Sequence, residues 1–248
     1  MIHMLRSIVS RLRWAARENR RALSFLLSSN RIAWRCEWEA CSSAEDLFNF
    51  AIAHIGIGQN RDEFLRFLAY IEATKPINVM EIGVREGGTS FMFANVLKTC
   101  RTVIGLDIRL QNLHLLRTFC PSWIRRQDFV CGDSTQPSTI SRVKRRLGSA
   151  KLDVLFIDGD HSYSGVADYF KAYRQFVRDG GIIAFHDICM DHHRRYVAET
   201  PNDSGEVYRF WQRIRESYDT KEFFGDEKQN GAGIGVIIWD LSRPVALA

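Results

Sequence analysis

Five short apolar runs, at 77–82, 102–107, 128–131, 152–157 and 181–185, alternate with helix-like stretches near 88–99, 110–118, 137–147 and 164–178. This order restricts the fold more than any other feature of the chain. A strand buried on both faces reads as a continuous apolar run, whereas a strand with one wet face alternates. Leu152-Asp-Val-Leu-Phe-Ile157 is of the first kind. Parallel strands need a right-handed, usually helical crossover between them, so strict β/α order predicts a doubly wound sheet. A helix near 204–217 and strands at about 221–225 and 234–240 follow, with Asn230-Gly-Ala-Gly-Ile-Gly235 as the turn into the last. The expected architecture is α/β and Rossmann-like: seven strands, mostly parallel with the last antiparallel, and an N-terminal helical extension. A length of 248 residues suits one such core.

The ionisable residues collect where these strands end, which is where open α/β sheets bind ligands. Strand 152–157 runs into Asp158-Gly-Asp160-His161, and strand 181–185 into His186-Asp187. Carboxylates and imidazoles together can hold a metal and move a proton. Glu81-Ile-Gly83-Val-Arg85-Glu-Gly87-Gly88-Thr89-Ser90 joins the first strand to its helix. Its glycines would let a ligand approach the backbone, and the helix N-terminus attracts an anion. Asp107 ends the second strand, placed to accept both hydrogens of a ribose diol. Asp133, in Cys131-Gly-Asp133-Ser134, is placed to accept from an adenine amino group. A dinucleotide fingerprint requires glycine where this chain has Arg85, which argues against a nicotinamide oxidoreductase.

Taken in order, the glycine turn, Asp107, Gly-Asp133-Ser, Phe-Ile-Asp158-Gly-Asp-His161 and Phe-His186-Asp187 resemble the class I S-adenosylmethionine-dependent methyltransferases. Within them the chain resembles the metal-dependent O-methyltransferases of the cephalosporin-hydroxylase-like and macrolide-sugar group, and more distantly catechol O-methyltransferase. The resemblance spans roughly residues 42–240. It implies that Glu81, Gly83, Gly87, Thr89 and Ser90 surround the methionine part of S-adenosylmethionine. Asp107 would hold the ribose, Asp133 with Ser134 would face the adenine, and Asp158 would adjoin cofactor and metal alike. The implied metal ligands are Asp158, Asp187 and His186, and His161 takes the position of the general base. The implied acceptor is a hydroxyl of a sugar, polyol or catechol-like molecule. A methyltransferase of nucleic-acid bases would carry an Asn/Asp-Pro-Pro-aromatic tip where this chain has Asp158-Gly-Asp-His.

The departure from that pattern is His186, where relatives carry an acid. Magnesium prefers oxygen ligands, whereas manganese, iron or zinc accept imidazole. Neighbours 186 and 187 point to opposite faces of an ideal strand, so both reach one ion only if the strand has already ended. His161 has a second reading, as a cap on the helix near Ser164 or a partner that orients Asp158. The connection from 187 to 203 is long and carries Asp191-His-His-Arg-Arg195-Tyr, as a lid or a binding loop would.

Residues 1–35 hold eight arginines and one acid, Glu18, which leaves 26 basic and 28 acidic residues for the rest. The net charge of +5 therefore belongs to the arm and is no sign of nucleic-acid binding by the main domain. Leu5, Ile8, Val9, Leu12, Ala16, Leu23, Leu26 and Leu27 recur at helical spacing, with Arg6, Arg13, Arg17, Arg20 and Arg21 on the opposite flank. Such a helix packs on its own domain, packs on a second subunit, or lies on an anionic membrane surface. Residues 1–41 read as this arm and 42–248 as the methyltransferase-like domain, which is expected to fold without residues 1–35. A cofactor-binding module without catalysis, tethered through the arm, is the competing functional reading. Six cysteines without metal or disulfide spacing favour reduced thiols and a cytoplasmic location, at most peripheral to a membrane.

Overall fold

Successive residues of the central strands face opposite ways, and in the computed structural model each set meets its own layer of helices. The structure describes residues 2–200, 203–226 and 228–243, with side chains from Trp14 onward except residue 15. The strands are β1 (Asn78–Ile82), β2 (Thr102–Asp107), β3 (Arg126–Cys131), β4 (Leu152–Ile157), β5 (Val177–His186), β6 (Thr220–Phe223) and β7 (Ile234–Ile238). Their order is β3-β2-β1-β4-β5-β7-β6, with β7 antiparallel to both neighbours. This is the seven-stranded sheet expected from the sequence. Strand β5 begins earlier than the apolar pattern suggests, because its first residues pair before a register shift against β4.

Val79, Val103, Val154, Phe156, Ile182 and Ala184 form one core with α3 (Ala44–His54), α4 (Arg61–Ala73), α5 (Gly88–Val96) and α6 (Leu113–Thr118). Met80, Ile82, Ile104, Leu106, Leu155, Ile157, Ile183 and Phe185 form the other with α7 (Pro137–Leu147), α8 (Tyr163–Tyr173) and α10 (Val207–Ile214). The first core is rich in phenylalanine: Phe67 packs against Phe93, Phe156 and Phe223 at 5.5–6.4 Å between ring centres. Chain order 3-2-1-4-5 reverses direction between β1 and β4. That reversal parts the loops at their carboxyl ends and opens a crevice there.

Two helices ahead of β1 are capped by side chains. The reciprocal cap of α3 is formed by Ser43 and Asp46. At α4, Asn60 caps alone, while Glu63 turns inward and is 1 % exposed.

The arm is two helices, α1 (Ile2–Leu27) and α2 (Asn30–Ala40), and it is not independent of the domain. Phe25 is buried against Trp34, His114 and Phe119. Glu18 accepts the backbone N–H of Asn112 at 2.9 Å, Arg35 donates to the Thr118 carbonyl, and the Trp38 indole donates to Asn95 at 2.8 Å. The first core thus continues across the boundary placed at residue 42, because aromatic side chains of the arm cap the helices beneath it. The side chains of Leu5, Ile8, Val9, Leu12, Arg6 and Arg13 lie outside the described residues. Phe25→Ala is expected to destabilise the protein by about 3 kcal/mol in chemical denaturation, through lost burial and the cavity left behind. No change in the midpoint would show that the arm contributes nothing to the fold.

Candidate active site

The crevice at the carboxyl ends of β1 and β4 has a volume of about 880 Å³. Its walls include the turn residues 82–86 and 88–89, the strand tips at 107–108 and 133–134, the tips 158–161 and 186–187, and the loops 56–60 and 229–232. Register explains the deepest part. Ile82 pairs with Ile157 and Ile157 with Phe185, so Asp158 and His186 leave the sheet side by side. Strand β5 ends at His186, and Asp187 takes the left-handed conformation with φ 63°. That turn overcomes the alternation of the strand. Both side chains consequently face the same cluster: His186 Nδ1 lies 3.2 Å from Asp158 Oδ1 and 3.2 Å from Asp187 Oδ2.

His161 closes the cluster. Its Nε2 lies 3.3 Å from Asp187 Oδ2 and 3.8 Å from Asp158 Oδ1, and its Nδ1 meets the Asp203 carbonyl at 2.9 Å. The helix-cap reading is resolved here, because α8 is capped by Ser162, whose hydroxyl accepts the Gly165 N–H. Asp158, His161 and Asp187 bring ligand atoms within 4.8 Å of one another. His186 lies beneath them, almost fully buried, and neither of its nitrogens makes a hydrogen bond of good geometry. Each carboxylate is also gripped from behind: Gln59 donates to Asp158 Oδ2 at 2.7 Å and Ser204 to Asp187 Oδ1 at 3.2 Å. One oxygen of each acid therefore faces the other and the imidazoles.

Charge balance follows from this packing. Burial pushes the Asp158 carboxyl up, but the facing imidazoles of His186 and His161 outweigh it and leave it below the usual carboxylate range. His161 is raised to about 9 by its pairing with Asp158, against desolvation and with help from Asp187. Burial opposes the charge on His186, yet the two carboxylates hold it well above the ordinary imidazole value. Two acids and two imidazoles thus compensate one another, with His186 and Asp187 buried and His161 open to the crevice.

The cofactor side differs in part from the sequence expectation. Gly83 has φ 96°, and a Cβ there would drive into the Asp158 carbonyl. A Cβ on Gly88 would meet the Gly56 carbonyl. These glycines let the chain approach itself, bringing β1 against β4 and loop 56–60 against α5. Room for a ligand is a result of that closeness. Asp107 accepts the backbone N–H groups of Arg85 at 2.8 Å and Arg109 at 2.7 Å, one on each oxygen. It is thereby oriented, with a lone pair left on each oxygen. Asp133 lines the crevice, but its Oδ1 accepts from the Thr135 N–H and hydroxyl and its Oδ2 from the Gln136 side chain at 3.3 Å, so the carboxylate largely serves the turn into α7. Ser134 and Thr89 also line the crevice, whereas Glu81, Gly87 and Ser90 do not. Glu81 is 1 % exposed behind the turn, with Ser90 donating to its Oε2 and nothing bonded to Oε1.

Gln59, Tyr169, Ser204 and the turn 229–232 also line the site and were not expected there. The Gly56-Ile-Gly58 separator and the Asn230-Gly-Ala-Gly run carry the signal, since glycine-rich loops at a sheet edge are common ligand walls. Nothing in the sequence marks Ser204. The 187–203 connection contains α9 (His192–Tyr196), capped by the buried Asp191. Arg194 is committed to Asp191 and Asp203, so it braces the loop and is not free for an anionic acceptor.

A seven-stranded sheet of this order, with an ionisable cluster at the ends of β4 and β5, is the Rossmann-like fold of class I methyltransferases. Residues 80–188 match the family model described as a methyltransferase domain. An O-methyltransferase from Bacillus cereus, solved with S-adenosylhomocysteine, is 16% identical with TM-score 0.55, over 81% of this chain and 93% of that one. A Staphylococcus aureus protein, a candidate caffeoyl-CoA O-methyltransferase, is 17% identical with TM-score 0.57, over 85% and 100%. These two share the fold. An uncharacterised protein of Acanthamoeba polyphaga mimivirus is 50% identical over 128 residues, 45% of this chain. The match spans about half, 51%, of the viral protein's length.

Desolvation raises Glu81 from 4.5 to about 8, partly offset by the Ser90 hydrogen bond. Below pH 4.5 the folded and unfolded chains hold this proton equally. As pH rises towards about 8 the unfolded chain releases it first, so stability is lost across that window. Glu81→Gln is expected to flatten this slope and to be the more stable form near pH 8, by on the order of a few kcal/mol. Parallel stability curves for the two proteins from pH 5 to 9 would refute the buried neutral carboxyl.

Proposed function

We propose that the protein transfers the methyl group of S-adenosylmethionine to a hydroxyl of a small polar acceptor, a sugar, a polyol or a catechol-like ring. In this reading a divalent cation, magnesium or manganese, is held by Asp158 and Asp187. The observation that carries it is the convergence of Asp158, Asp187 and His161 within 4.8 Å beside the crevice. The facing carboxylate oxygens of Asp158 and Asp187 are hard donors that such ions accept, and His161 stands beside them with Nε2 unligated. A cation there supplies a Lewis acid that polarises and orients an acceptor hydroxyl.

The remaining work falls to the chain itself. Gln59 and Ser204 fix the two carboxylates from behind, which limits their rotation and keeps the inner oxygens convergent. The Asp203 carbonyl at His161 Nδ1 selects the tautomer that leaves Nε2 free to accept a proton. That nitrogen is protonated near neutral pH while both carboxylates face it bare, and positive charge added at the pair loosens its hold. His161 Nε2 then takes the acceptor proton as the acceptor oxygen bonds the methyl carbon and the carbon–sulfur bond breaks. Asp107 anchors the ribose, and Asp133 and Ser134 bound the adenine side, so the methyl group is aimed at the cluster and alignment lowers much of the barrier.

Asp107→Ala is expected to weaken S-adenosylmethionine about tenfold or more in titration calorimetry, since the ribose hydroxyls lose a charged acceptor. Asp187→Asn is expected to abolish turnover of hydroxylated acceptors while cofactor affinity changes little. Full turnover in excess chelator would remove the cation from the reaction. His161→Gln is expected to lower kcat with cation affinity retained, and a parallel loss of cation binding would make His161 a ligand and not the base.

A further inference from the structure

Helix α1 has two apolar faces, and the domain uses one. Trp14, Glu18 and Phe25 share the inner face at helical spacing. Phe25 is buried, Trp14 is half-buried, and Glu18 bonds to Asn112. The leucine stripe recognised in the sequence is on the other side. Leu23, Leu26 and Leu27 are 58%, 50% and 79% exposed, and Ile32 at the start of α2 is 69% exposed. Ala16, Arg17 and Arg20 are exposed in the preceding turns. In sequence the same spacing continues back through Leu12, Val9, Ile8 and Leu5.

We propose that this outer face lies on an anionic lipid surface. Charge selects that occupant over a second copy of the chain. The acids of α1 and α2 are Glu18, Glu37 and Glu39, and each is already taken: Glu18 by Asn112 and Arg21, Glu37 by His54 and Glu39 by Arg35. An isologous pairing through this face would set arginine rows against each other with no acid between them. A lipid surface carrying phosphate supplies apolar depth for the leucines and negative charge for the arginines at once. No described helix is long and apolar enough to cross a membrane, so the geometry is that of a helix lying in the interface. The proposal does not depend on the methyl-transfer reading, because none of these residues lines the crevice.

The test is sedimentation of the full chain with vesicles of phosphatidylcholine alone or with about one third phosphatidylglycerol. Binding to the anionic vesicles only, weakened severalfold in high salt, is expected. Leu23→Gln/Leu26→Gln/Leu27→Gln is expected to lose at least about tenfold in partitioning, and Arg17→Gln/Arg20→Gln about fivefold or more. Circular dichroism and S-adenosylmethionine affinity should match the parent chain in both variants, which separates lost binding from lost folding. Failure of the full chain to sediment with anionic vesicles overturns the proposal. So does equal binding of the leucine variant, or a solution dimer that this variant splits, which would assign the face to a second copy.

Discussion

The site depends on the alignment of three strand ends. Had β5 been shifted by one residue against β4, Asp158 and His186 would not emerge together. Had Asp187 kept extended backbone, its carboxylate would point to the other layer of helices. The left-handed turn at Asp187 is disfavoured for a residue with a side chain, and Ser204, bonded to Asp187 and the Ala232 N–H, ties it in place. Charge compensation among Asp158, Asp187, His161 and His186 is thus a product of register, one strained residue and one loop serine.

Much of this was legible beforehand, for definite reasons. Parallel strands buried on both faces leave mostly apolar runs, so Val79 to Ile82 and Leu152 to Ile157, each broken by a single acid, announced themselves, and with them the sheet. Acids at strand ends are equally visible, which is why Asp107, Asp158 and Asp187 were found. What could not be read were residues whose role comes from the partner they touch. Glu81 looks like a site acid in the sequence, yet it sits behind the turn against Ser90. Gln59 looks like loop filler, yet it is 99 positions from the carboxylate it holds. His186 and Asp187 were a paradox of alternation until the positive φ of Asp187 removed it.

The arm shows the same limit in another form. Spacing revealed an apolar stripe but could not say which side of the helix meets the domain. The docking residues proved to be Phe25 and Glu18, set opposite the stripe, while α2 contributes Trp34 and Trp38 to the first core. One helix therefore carries two separate recognition surfaces, and the boundary between arm and domain is chemical more than positional.

Glu63 has a mechanical consequence for access to the crevice. Its two oxygens take the Gln229 side chain at 2.7 Å and the Gly233 N–H at 2.8 Å, out of contact with water. The wall built on α4 and the wall built on the glycine turn before β7 are clasped to each other at that point. Neither can swing outward alone without stranding a buried carboxyl group, so the two walls form a single rigid jaw. The start of the β5–α10 connection is tied to the same jaw, since the Cys189 N–H donates to the Ala232 carbonyl and the His192 N–H to the Asn230 side chain. Amide hydrogens of Gly233 and its neighbours in β7 should therefore exchange with solvent slowly.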